Sequence, residues 1–224
     1  VDLTMRTIRY VDACVAPMMQ RVQRKDVLLL TYLSMPLQLE VQAEMFCNTL
    51  LVHPFLKVLK KRSETLTSHI FAKTVIEMSL AHTDLLFEVG QVCHEMYFVS
   101  RGSLLYLLRG TDKVSEIRKN SWCCEPVLWI PWVHKGTSKA AEECDLISID
   151  TTKMRMAVLE HKERAFVRRV AQAYLNDINQ LVDDKVALSD TQVFKEESSQ
   201  YMRGIHEADD NSPSDVPAIK EENV

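Results

Sequence analysis

Between Ser79 and Ile117 the chain breaks into apolar runs of strand length, each closed by a turn. The runs are Leu85–Val89, Met96–Val99 and Leu104–Leu108. The breaks are His82-Thr83-Asp84, Gly90-Gln91, Arg101-Gly102 and Arg109-Gly110-Thr111-Asp112. Runs this short cannot bury one face of a helix, whereas short apolar strands joined by glycine turns build antiparallel sheets. Three of the five glycines stand in these turns, where the backbone needs positive φ. Val114–Ile117 reads as one more strand and Leu146–Ile149 as another. The segment therefore predicts an antiparallel sandwich or roll.

Helical spacing lies on both sides of it. Over Leu3–Arg24 the apolar residues Ile8, Val11, Val15, Met18 and Val22 mark one face. Pro17 should kink or divide that helix near Ala16, because it lacks an amide donor. Asp26 is a plausible cap for a short helix to Leu33. Pro36 suits the first turn of the next, over Leu37–Asn48. Leu50–Leu59 is apolar around Pro54, and Lys57, Lys60, Lys61 and Arg62 follow, a cluster fitting a helix C-terminus or an anion site. Thr67–Met78 reads as another helix. Short helices broken this often dock on something larger. After Asp150 the helical period returns: Thr151 or Thr152 can cap a helix through Met156 and Leu159. A longer helix then places Phe166, Val170, Ala173 or Tyr174, Ile178 and Leu181 on one face and ends near Leu188.

From Asp190 onward nine acids face three bases, and aromatic residues are scarce. This predicts an acidic disordered or interaction tail over 190–224. With a net charge of −4, and no helix-turn-helix after the long helix, no nucleic-acid partner is expected. The six cysteines include no CxxC pair, and no histidine spacing suits zinc, so they read as core hydrophobes in a reducing compartment and no metal set is predicted. No apolar run is long enough to cross a bilayer, and no signal peptide is visible. The start at Val1 suggests a piece cut from something longer. Glu125 and His134 can be drawn as an acid/base pair, yet no nucleophile, metal set or Gly-rich phosphate loop accompanies them. No enzyme and no catalytic residue is expected.

Three pieces carry a family resemblance: Asp26–Leu56, DVLLLTYLSMPLQLEVQAEMFCNTLLVHPFL; Asp84–Leu104, DLLFEVGQVCHEMYFVSRGSL; and Glu125–Ile149. Over residues 3 to 183 the chain resembles the cytoplasmic end of cyclic-nucleotide-gated, hyperpolarisation-activated and ether-à-go-go-type voltage-gated cation channels. The resemblance implies an α+β fold: an antiparallel, jelly-roll-like β-roll with flanking helices. A helical C-linker over 1–62 would precede a cyclic nucleotide-binding (or homology) domain over 63–189, with the tail beyond. It implies a regulatory and assembly role in a cation channel, with potassium as the expected ion. Subunits of a homotetramer would meet through the N-terminal helices, a transmembrane pore would lie upstream, and the segment would face the cytoplasm from an integral membrane channel. A soluble cyclic-nucleotide sensor or a kinase regulatory subunit is the alternative.

In that family the third piece is the phosphate-binding cassette. A cyclic nucleotide offers one anionic phosphate and a ribose hydroxyl. It needs backbone amides at a short helix, a cation and an acceptor. The resemblance assigns Glu125 to the ribose and His134, Lys135, Gly136 and Thr137 to the phosphate. Cys124 stands where the family has glycine and His134 where it has arginine, and imidazole lacks the guanidinium fork. Trp129, Pro131 and Trp132 bring more bulk than the family norm. Two expectations stay open: cAMP or cGMP as a regulatory ligand, with the Phe166–Leu181 helix closing over the base, or a domain that no longer binds nucleotides. No other cofactor is expected.

Overall fold

The computed structural model describes residues 32–192, 194 and 199–210. The helix expected over Leu3–Arg24, and most of that over Asp26–Leu33, lie outside them. The chain divides into two compact units, Val1–Leu39 and Glu40–Val224. In the first, Gln38 Nε2 donates to the Leu33 carbonyl at 2.9 Å.

Helix α1 (Met35–Leu50) buries Ala43, Phe46, Cys47 and Leu50 on one stripe. Helix α2 (Pro54–Arg62) starts with proline, whose missing N–H is no loss in a first turn. Its last turn holds Lys60, Lys61 and Arg62 against the negative helix end. Lys60 reaches Cys47 Sγ at 3.0 Å and Arg62 pairs with Glu163 at 2.8 Å, so both contacts knit protein to protein. Helix α3 (Glu64–Thr74) is capped by Ser63, whose hydroxyl accepts from Leu66 N. Phe55, Leu56, Leu59, Ile70 and Phe71 are buried, and each apolar side chain so buried stabilises by about 1.5–3 kcal/mol. These contacts make α2 and α3 part of the second compact unit, Glu40–Val224.

The helix expected through Met78 stops at Thr74. Val75–Leu80 is strand β1, paired antiparallel with β10 (Cys144–Asp150) from Val75↔Ile149 to Leu80↔Cys144. The β-branched Val75-Ile76 start suits an extended chain. The other strands are β2 (Leu85–Phe87), β3 (Val92–Cys93), β4 (Glu95–Arg101), β5 (Ser103–Leu108), β6 (Val114–Arg118), β7 (Trp122–Cys123), β8 (Trp132–Val133) and β9 (Gly136–Ala140). They form sheets in the orders β1-β10-β4-β7, β2-β9-β5-β6 and β3-β8, every pairing antiparallel. The predicted glycine turns hold: Gly90, Gly102 and Gly110 have φ of 89°, 75° and 77°. At Gly102 a Cβ would also stand 2.4 Å from the Glu143 carbonyl oxygen.

A four-residue helix α4 (Pro126–Trp129) interrupts the roll. After β10 come α5 (Thr151–Leu159) and α6 (Arg164–Asp183). The cap of α5 is Asp150 rather than Thr151 or Thr152; its carboxylate accepts from Thr152 N and Lys153 N.

The expected acidic tail requires correction. Asp190 is 1% exposed, and Gln200–Asp210 forms helix α7 with Tyr201, Met202 and Ile205 buried. Its start is built from α6: buried Asp177 accepts from Ser199 Oγ at 2.6 Å, Gln200 N at 3.0 Å and Tyr201 N at 2.9 Å. A carboxylate thus satisfies amides that a helix start leaves open. Tyr201 packs on Tyr174, Trp129 and Phe194. A boundary at 189 would cut through this packing. Among the described residues no helix is long and apolar enough to cross a membrane.

A cassette occupied by the chain itself

The predicted phosphate site converges on a carboxylate of the same chain. Asp190 accepts five hydrogen bonds: from Tyr106 Oη at 2.8 Å, Trp132 Nε1 at 2.8 Å, His134 Nδ1 at 3.0 Å, Lys135 N at 2.7 Å and Gly136 N at 3.0 Å. Its main chain is held as well. The Asp190 carbonyl accepts from Cys124 N at 2.6 Å, and Asp190 N donates to Tyr106 Oη at 3.2 Å. With the carboxylate ionised, His134 Nδ1 carries the proton. Burial alone would raise the Asp190 carboxyl, but the bonds from His134, Trp132 and Tyr106 hold it below the carboxylate range. Burial lowers the His134 imidazole, and the Asp190 bond with Cys93 beside it overrides this, bringing it up to about 9.

Local backbone explains the convergence. Cys124 stands at φ 65°, a left-handed conformation that a side chain reaches at a cost of about 1–2 kcal/mol. That turn aims its N–H at Asp190. At Gly136 a Cβ would lie 2.4 Å from the Leu107 carbonyl oxygen and 2.6 Å from the Tyr106 ring. Only glycine lets β9 run this close to β5. The His134 ring is fixed by stacking on Phe87, with centroids 3.8 Å apart and planes 7° apart.

Other predicted roles change. Lys135 serves through its backbone amide, while its ammonium lies 4.9 Å from the Trp132 ring centroid. Thr137 is set apart from Asp190: its Oγ1 accepts from Val89 N at 3.3 Å. Glu125, expected to hold a ribose, is 3% exposed and turned elsewhere. His53 Nε2 lies 3.1 Å from its Oε1, and Trp122 Nε1 donates to its Oε2 at 3.1 Å. Burial would raise this carboxyl; His53, Tyr201 and Trp122 hold it below its ordinary value. The extra bulk also has a place. Trp132 is a donor to Asp190, and Trp129 packs edge-on against Phe55 at 4.8 Å.

Sequence did not place Asp190, Tyr106 and Cys93 in this site, and it marked Trp132 only for its bulk. Beside His134 a cleft of about 290 Å³ opens, lined by Gly90, Arg109, Lys135 and Leu188 among others.

No family model matches the chain, and no curated protein does. Among solved structures the chain is similar to the sensor domain of the transcriptional regulator DNR from Pseudomonas aeruginosa, with 16% identity, 66% of this chain and 97% of that one covered, and a TM-score of 0.50. A second similarity is to PKAR CBD2 with Sp-2Cl-cAMPS bound, with 12% identity, coverages of 69% and 99%, and a TM-score of 0.47. The fold is an antiparallel β-roll with flanking helices, of the kind found in cyclic nucleotide-binding domains. In this chain the segment expected to hold a phosphate is filled by Asp190.

Proposed function

We propose that the chain is a regulatory and assembly domain of a cation channel, closed to cyclic nucleotides by its own Asp190. The observation that carries this is the set of five donors already satisfied by that carboxylate. The phosphate of cAMP or cGMP would have to displace an ionised group from amides, an indole and a phenol, and would leave Asp190 buried beside a second anion. Such unpaired burial is worth several kcal/mol against binding. Glu125 is 3% exposed, with its Oε2 bonded to the Trp122 indole and its Oε1 3.1 Å from His53 Nε2, so it is packed in the interior rather than open to a ribose. The channel setting is supported by the resemblance of Asp26–Leu56 and Asp84–Leu104, and assembly would run through the helices ahead of the roll.

A second reading is a soluble sensor. It is favoured by the similarity that spans almost all of a regulator's sensor domain. Titration calorimetry of the full chain with cAMP and cGMP tests the closed cassette: no heat is expected up to millimolar ligand. Binding at micromolar ligand overturns it. Light scattering at high protein concentration separates the settings, with a fourfold assembly expected for the channel domain.

A further inference from the structure

Three buried side chains meet inside the roll, and one of them, His134, is bonded to the Asp190 carboxylate. Cys93 Sγ, Cys124 Sγ and a ring nitrogen of His134 all lie within 4.8 Å of one another. Strands β3 and β8 pair in the register Val92↔Val133 and Cys93↔Trp132, which sets Cys93 across from the approach to His134. The left-handed turn at residue 124 brings in the second thiol, 3.7 Å from His134 Nδ1. Both cysteines are free of disulfides.

We propose that Cys93, Cys124 and His134 form a binding site for a thiolate-preferring divalent cation, zinc foremost, with Asp190, which bonds the same His134 nitrogen, turning in as the fourth donor when the ion binds. Tetrahedral zinc with Zn–S near 2.3 Å and Zn–N near 2.0–2.1 Å needs S···N separations of about 3.6 Å and S···S of about 3.8 Å. The Cys124–His134 pair already stands at 3.7 Å, so even the widest pair closes by only about 1 Å to reach this geometry. Two sulfurs and one imidazole suit zinc and exclude magnesium or calcium, which prefer oxygen. Asp190 Oδ1 is 3.0 Å from the same Nδ1. The other carboxylate oxygen stays bonded to Tyr106 Oη, Lys135 N and Gly136 N, the outer support that orients a ligand. Phe87 holds the imidazole plane. The cleft beside His134 gives an ion a way in.

The plain alternative is that these are core cysteines of no further use. Cys47 and Cys144 are buried too, yet among the described residues only Cys93, Cys124 and His134 meet the geometry of a ligand group. On binding, the thiols and Nδ1 release their protons to solvent, so affinity rises with pH. Bound metal would pin Asp190, and with it the chain after α6, to the cassette. This holds for a channel domain and for a soluble sensor alike.

The full 224-residue chain, reduced and stripped of metal, is titrated with cobalt(II) and then zinc(II). One equivalent of cobalt should give a sulfur-to-metal charge-transfer band with strong tetrahedral visible bands, and one equivalent of zinc should erase them. Cys124→Gly removes a ligand while suiting the φ of that turn, so it keeps the fold. It should lose the charge-transfer intensity and weaken zinc at least about 100-fold. Cys93→Ala should do the same. Asp190→Asn should keep the sulfur band and weaken zinc about 10- to 100-fold, and Cys47→Ala should change neither. The proposal is overturned if the wild-type chain shows no sulfur–cobalt band, or if Cys124→Gly retains it.

Discussion

Asp190 and His134 meet 3.0 Å apart inside the roll, one from the connection after the last long helix, the other from the centre of the cassette. The two are otherwise distant in sequence, and the cassette is complete only when both are present. Stability, pH response and ligand response should all trace back to this pair.

Removing the carboxylate leaves four further donors facing an empty acceptor. Asp190→Ala should lower the unfolding free energy by about 3–5 kcal/mol, the usual penalty when one member of a buried pair is deleted. Urea denaturation, with unchanged slope and a lower midpoint, reads it. A loss below about 1 kcal/mol would show that the bonds carry little net energy.

The pH dependence has a defined sign. His134 is raised from 6.5 to about 9 in the fold, so its contribution is complete below pH 6.5 and disappears as pH climbs through about 9. Asp190 is lowered from 3.8, so its contribution is present above that value and is lost on further acidification. Cys93, brought to about 6 by the Cys124 thiol and then His134 against the effect of burial, also faces the imidazole, as does Cys124. Lowered from 9.0, Cys93 adds stability as pH rises over the same window and so opposes the His134 contribution. In a chelator-treated Cys93→Ser chain, where the thiol no longer contributes, stability should fall as pH rises above 6.5. His134→Gln should flatten that slope, and an unchanged slope would count against the ion pair.

Glu125 should matter to the fold and not to nucleotides. Glu125→Ala leaves His53 and the Trp122 indole buried without their acceptor, and a loss of about 3 kcal/mol is expected. Calorimetry with cAMP should stay flat in both proteins. A nucleotide signal present in the wild type and absent in the variant would restore the ribose role.

Ending the chain at Leu188 should destabilise it far more than a tail deletion would, because Asp190 and α7 go together. Extending to Asp210 should recover the full melting temperature. Tyr201→Ala within the longer chain should lower stability by about 3–5 kcal/mol, as for other buried aromatic truncations.

Gly136→Ala places a methyl against the Leu107 carbonyl oxygen and the Tyr106 ring. Tyr106 cannot yield without loosening its bond to Asp190, so a loss of at least about 1–3 kcal/mol is expected. Thermal denaturation compared with Gly204→Ala, where a Cβ meets nothing within 4 Å, isolates the effect.

The roll was legible because its signals are local. Positive φ at Gly90, Gly102 and Gly110 follows from turn chemistry, and the runs between them bury alternate residues. Strand β1 was hidden because Val75 and Ile76 continue an apolar pattern that fits a helix equally well. Its register was decided by β10, distant in sequence. The tail was misread for a different reason. Charge averaged over 190–224 masked Tyr201, Met202 and Ile205, an apolar face at helical spacing. His134, Lys135 and Gly136 were placed in one site by their family positions, and the structure does bring them to one anion. That the anion is Asp190 is long-range information carried by no spacing, and the same is true of the meeting of residues 93, 124 and 134.

The connection Asp184–Ser189 that carries Asp190 from the end of α6 has a consequence for control. An attached carboxylate competes with dissolved anions as if present at millimolar concentration or more, however scarce or plentiful those solutes are. The occupant cannot diffuse away, so dilution and synthesis, the usual levers on a second messenger, have no hold on it. Movement of α6 does. Opening such a cassette would require the connection itself to move, so displacement of the chain, rather than solute concentration, would be the variable that governs it.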